Sequence, residues 1–119
     1  MDDTESHLRK FHKELSAGIV SLVLLGVLAR ARTPMYGYQI VKRLEQTGEG
    51  VLSDKQSALY PVLRNLAAAG LLDSEVEPSV TGPPRRYYRI TPLGRRVLDE
   101  WTYAWTATRD FVDTVLEGS

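Results

Sequence analysis

The sequence predicts a mainly α-helical chain with a small two- to three-stranded β wing and a long final helix. Three features of the chain carry this expectation. Residues 57–69 repeat leucine at helical spacing and stop at Gly70. Two short alternating segments come next, joined by a tip of Pro78, Ser79, Val80, Thr81, Gly82, Pro83 and Pro84. From Pro92 to about Glu117 an apolar stripe then runs without a break. A short helix handing straight over to a basic hairpin is the outline of a winged helix-turn-helix.

Residues 1–13 show no core pattern and are read as an N-terminal arm, either mobile or a helical extension of the next segment. From about Glu14 to Arg30 the chain reads as helix. Leu15, Ile19, Leu22, Val23, Leu25, Gly26 and Ala29 cover much of its circumference, and a helix apolar nearly all round has to be buried on more than one side. Thr33 and Pro34 break it. The run M-Y-G-Y-Q-I-V-K-R-L begins a second helix, with Ile40, Val41 and Leu44 inward and Gln39, Lys42 and Arg43 outward. Gly48 ends that helix and Gly50 turns the chain.

The third helix carries denser signals. Ser53 and Gln56 have the spacing of a capping box, and Ser57 is a second candidate N-cap. Pro61 lacks a backbone N–H and belongs near a helix start, which favours a first turn at 57–60. Leu59, Leu63 and Leu66 form one stripe and leave Ser57, Tyr60, Pro61 and Arg64 on the opposite side. Gly70 supplies the left-handed position that stops the helix. A hydroxyl, a phenol and a guanidinium on one face suit the phosphates and base edges of a major groove. The plain alternative is the polar face of a half-buried helix.

In the hairpin, Leu72, Ser74 and Val76 alternate with Asp73, Glu75 and Glu77, as in a half-buried strand. The returning strand alternates Arg86, Tyr88 and Ile90 with Arg85, Tyr87 and Arg89. Proline has no donor for the ladder, so T-G-P-P belongs at the tip. Arg85, Arg86 and Arg89 either reach adjacent phosphates or form a solvated edge that discourages strand pairing.

Thr91 and Pro92 are an N-cap and first-turn pair opening the last helix. Its stripe is Val97, Trp101, Ala104, Trp105, Thr108, Phe111, Val112 and Val115. At 1.5 Å per residue that helix spans ~38 Å, too far for the compact part of one subunit to cover. It is expected to pack on a second copy with the N-terminal helix as companion, making a homodimer.

Composition narrows the function. A chain of 119 residues, 43% hydrophobic and 25% charged, is an ordinary single globular domain. There is no cysteine, and His7 and His12 both lie in the arm, so neither a metal nor any cofactor is expected. No nucleophile–base set or phosphate-cradling glycine loop stands out, so an enzyme is not expected.

The first residues are acidic (Asp2, Asp3, Glu5), unlike a signal peptide. The longest apolar run, 17–29, is interrupted by Gly18, Ser21 and Gly26 and falls short of the ~20 residues of a membrane span. A cytoplasmic location without a membrane partner is expected. The net charge of zero is unevenly spread. Residues 40–96 hold nine Lys/Arg against six Asp/Glu, a net of +3. Residues 97–119 hold one against five, a net of −4. Dimerisation would double the basic footprint and keep the acidic part away from phosphate.

Three pieces together are specific: M-Y-G-Y-Q-I-V-K-R-L, S-A-L-Y-P-V-L-R-N-L-A-A-A-G-L-L and R-R-Y-Y-R-I-T-P-L-G-R. In this order and spacing, over roughly residues 19–98, they resemble the PadR-like transcriptional regulators. The resemblance implies a dimeric repressor, with residues 14–91 as a winged helix-turn-helix DNA-binding domain and 92–119 as a dimerisation helix. The single C-terminal helix resembles the short subfamily. By similarity Tyr38 and the face of Ser57, Ala58, Tyr60 and Arg64 would contact an operator, while Lys42, Arg85, Arg86 and Arg89 would hold its backbone. Ser57 and Ala58 stand where Gly-Thr or Gly-Ser is frequent, and Asn65 where a basic residue is frequent. Those departures bear on the operator sequence rather than the binding mode.

The short subfamily also resembles multidrug-responsive regulators that hold flat aromatic compounds at the dimer centre. Trp101 and Trp105 stand at suitable positions for such an effector. The alternative is that both tryptophans only pack the interface, together with Leu15, Ile19, Val97, Phe111, Val112 and Val115. For the whole chain the competing reading is a winged helix that contacts only proteins, since the fold does not dictate function.

Overall fold

A computed structural model describes residues 3–47 and 56–118. The elements are α1 (Asp3–Arg30), β1 (Met35–Tyr36), α2 (Gly37–Thr47), α3 (Gln56–Ala68), β2 (Leu72–Glu77), β3 (Arg85–Ile90) and α4 (Pro92–Glu117). Ser53 of the expected capping pair, the turn at Gly48 and Gly50, and the side chains of Gln56 and Ser57 lie outside the described residues.

Helix α1 runs unbroken from Asp3, so the arm expected at 1–13 continues the helix with no break before Glu14. Its first turn holds Asp3 and Glu5 and its last turn Arg30, each with the sign that the helix dipole favours. By length and composition α1 is also apolar enough to cross a membrane. In the fold, however, its Leu24, Leu25 and Leu28 are the centre of the core. Against them pack Ile40, Val41 and Leu44 of α2, Leu59, Leu63 and Leu66 of α3, and Leu72, Tyr88 and Ile90 of the sheet. Each fully buried leucine contributes roughly 1.5–3 kcal/mol.

The sheet is antiparallel with strand order β1-β3-β2. Met35 and Tyr36, expected to open the second helix, instead pair with Tyr88 and Tyr87. Met35 is buried in the core, and helix geometry begins only at Gly37. The hairpin register runs from Leu72 opposite Ile90 to Glu77 opposite Arg85, with the seven-residue tip where it was expected. Ser74 and Val76 are exposed, against expectation, because the hairpin outruns the core and only Leu72 of β2 reaches it.

Helix α3 starts at Gln56, so Pro61 lies inside it and leaves the residue-57 carbonyl without its usual donor. At its end Gly70 adopts φ 82°. The Gly70 N–H donates to the Ala67 carbonyl and the Leu71 N–H to the Leu66 carbonyl, both at 3.0 Å. That is a Schellman stop, and the buried pair Leu66 and Leu71 completes it. Thr91 then ties two helix ends together. Its Oγ1 accepts from the Gly94 N–H at 2.9 Å and donates to the Gly70 carbonyl at 2.7 Å. Helix α4 lies antiparallel to α1, with Arg95 Nη1 donating to the Ala29 carbonyl at 3.4 Å.

Candidate nucleic-acid interface and ligand groove

Leu59, Leu63 and Leu66 clamp one side of α3 in the core, Leu63 with 0% exposure. Rotation about the helix axis is thereby set, and Ala58, Pro61, Arg64 and Asn65 are exposed. Tyr60 behaves differently from expectation. It is half-buried, and its ring lies across the backbone of Gly37, where a Cβ would overlap it. The glycine lets α2 approach α3 there, and the ring fills the space between them.

Beside this face α2 exposes Tyr38, Gln39 and Lys42. Gln39 Oε1 accepts from the Tyr36 N–H at 3.1 Å, one half of a capping box at the start of α2. Lys42 Nζ lies 5.9 Å from the centroid of the Tyr38 ring. A shallow groove of about 350 Å³ runs along this side of α2, lined by Arg32, Tyr38, Lys42 and Arg43 among others and, among the described residues, by no carboxylate.

The wing presents its arginines on two faces. Arg86 Nη1 donates to Ser74 Oγ at 3.0 Å. On the opposite face stand Arg85 and Arg89, either side of Tyr87. The register sets Glu77 across from Arg85, Glu75 from Tyr87 and Asp73 from Arg89. Side chains directly across a ladder share a face, so three carboxylates line the arginine face. The Arg85 guanidinium sits over the Tyr36 ring, 4.5 Å from its centroid.

A second site lies between α1 and α4. A groove of about 470 Å³ is lined by Leu15, Gly18, Ile19, Leu22, Trp101, Ala104, Trp105 and Thr108, with Glu14 at its rim. Thus Leu15, Ile19, Trp101 and Trp105 come together. Trp101 packs partly on the core, whereas Trp105 is 38% exposed. Val97 sits nearer the core, and Phe111, Val112 and Val115 lie beyond the groove on exposed turns of α4.

Sequence reasoning missed Tyr36, Gln39 and Arg32. The first two carry a local signal, since Gln39 stands three residues after Tyr36 at capping-box spacing. Arg32 carries none, because its place depends on how the α1–β1 turn folds back on α2.

Comparison with known proteins agrees with this geometry. A regulator of the PadR family from Eggerthella lenta DSM 2243 has a TM-score of 0.80 and 34% identity, covering 98% of each chain. A transcriptional regulator from Clostridium thermocellum has a TM-score of 0.75 at 25% identity, covering 85% of this chain and 96% of that one. Transcriptional regulator Rv3488 of Mycobacterium tuberculosis is 40% identical over 70 residues, 59% of this chain and 62% of its own. Residues 24–100, spanning both basic faces and the wing, match the Transcriptional regulator PadR-like family. The chain belongs to the PadR-like family of transcriptional regulators.

Proposed function

We propose that the protein acts as a homodimeric transcriptional repressor, with each α3 in a major groove and each wing along the adjacent backbone. One observation carries this reading: three core leucines fix the rotation of α3 and leave Arg64 on the outward side. In this reading Tyr38, Ser57, Ala58 and Arg64 meet the groove, with the half-buried Tyr60 bracing α2 against α3 behind them, while Lys42, Arg85, Arg86 and Arg89 hold phosphates. Residues 14–91 form the DNA-binding unit and α4 the dimerisation element, as in the short subfamily. The exposed stripe of Phe111, Val112 and Val115 supports a second copy as the partner of α4.

The effector in this reading is a flat aromatic compound, seated in the α1–α4 groove between Trp101, Trp105 and their copies. It acts by favouring a different separation of the two recognition helices. The protein works in the cytoplasm, where its operator is, and performs no catalytic step.

The test is a titration of the purified protein with duplexes from its own upstream region at two salt concentrations. Sequence-selective binding that weakens with salt is expected. Arg64→Ala should weaken it by ~1–3 kcal/mol, or roughly tenfold to a hundredfold. Equal affinity for wild type and variant would overturn the assignment of α3. A planar aromatic dye should quench tryptophan fluorescence in the wild type and not in Trp105→Ala; unchanged quenching in the variant would remove the effector from this groove.

A further inference from the structure

Between α2 and the wing runs a ladder of cations and rings. Lys42 Nζ lies 5.9 Å from the Tyr38 centroid. The Tyr38 and Tyr36 rings stack at 6.5 Å with 20° between their planes. The Arg85 guanidinium lies 4.5 Å from the Tyr36 centroid, and Tyr87 meets the same ring edge-on at 5.4 Å. Tyr36 is the centre of this array, and its backbone is held twice. It pairs with Tyr87 of β3, and its N–H donates to Gln39 in the first turn of α2. Tyr36 therefore belongs both to the wing sheet and to the capping contact that opens α2.

We infer that Tyr36 is a positioning residue for the wing, whose ring holds the Arg85 guanidinium at a set offset from α2 and α3 for contact with a DNA phosphate. The inference rests on the DNA-binding reading above and assigns Tyr36 a part in it. A guanidinium held over a ring is engaged by its charge and not by a hydrogen-bond acceptor, so the N–H groups turned away from the ring remain free for phosphate oxygens. An arginine already seated has less side-chain freedom to lose on binding, which is how preorganisation raises affinity. Among the described residues it is this ring, not a carboxylate, that holds Arg85. The other end of the ladder places Lys42 of α2 on the same frame, so that helix and wing present their cations as one unit.

The test uses the full chain and a fluorescein-labelled duplex selected by the wild type from a random-sequence library. Tyr36→Phe keeps the aromatic face and should bind within about twofold of wild type. Tyr36→Leu keeps apolar bulk without the ring and should bind roughly tenfold more weakly. Its log–log salt dependence should flatten by about one unit, as for Arg85→Ala, because one phosphate contact is lost. In an Arg85→Ala background, Tyr36→Leu should cost no more than about twofold further. A merely structural role for Tyr36 would leave the salt slope unchanged.

Arg85→Lys provides a variant on an exposed side chain, with the charge kept and the flat face removed. It should bind several-fold more weakly. Wild-type binding by Tyr36→Leu or Arg85→Lys, or equal losses from Tyr36→Leu in both backgrounds, would overturn the inference and leave the regulator reading standing. If the wild type selects no duplex, the regulator reading falls and this role with it.

Discussion

Gly94 and Gly37 both lie where another group comes too close for a side chain, and the nature of that group separates their consequences. A Cβ at Gly94 would meet the carbonyl of Leu71, a backbone atom anchored by its bond from the Thr91 N–H. A Cβ at Gly37 would meet the ring of Tyr60, which can rotate. Gly94→Ala should therefore destabilise by ~2–3 kcal/mol and Gly37→Ala by ~1 kcal/mol, within the usual range for overpacking. Thermal unfolding at fixed protein concentration checks the order, and equal shifts would show that the Leu71 carbonyl yields as easily as a ring. Gly70, Thr91 and the three leucines of α3 were legible in the sequence, because helix stops, caps and periodic stripes are local signals. The burial of Tyr60 and the pairing of Tyr36 were not, since both depend on contacts between segments remote in the chain.

The wing shows how an element can hold features that oppose each other. Its arginine face is also the face of Asp73, Glu75 and Glu77, by the ladder register. Glu75 stands opposite Tyr87, between the rows of Arg85 and Arg89, where a carboxylate would repel the phosphate proposed for those arginines. Glu75→Gln should therefore tighten duplex binding about threefold at low salt, with the gain shrinking as salt rises. No change at any salt would place this face away from DNA. The strands and tip could be read from alternation and prolines, but not that the hairpin leaves Ser74 and Val76 exposed, because core reach is a property of the packed domain. Helix α1 carries the same lesson. Its first turns lack an apolar stripe to signal helix, yet Glu5 and Arg9 at i,i+4 spacing, 4.0 Å apart, and the acidic first turn favour it locally.

At the scale of the molecule, the proposed dimer would bring two basic faces of a neutral chain to one duplex, with α4 as the means. Phe111 is 68% exposed, and Val112 and Val115 continue the same apolar stripe towards the C-terminus. Sedimentation should give twice the 13.4 kDa of one chain for the wild type and one chain's mass for Phe111→Glu/Val115→Glu. A dimer that survives both charges would put the interface elsewhere. The length of α4 made its exposed apolar stripe legible in the sequence. The α1–α4 groove was less so, because its walls come from opposite ends of the chain. The most direct measurement is a hydroxyl-radical footprint of the wild type on its selected duplex. Two symmetric protected segments about one helical turn apart, ~10 base pairs centre to centre, are the expected result. A single protected segment would contradict a dimer that sets two recognition helices in successive major grooves.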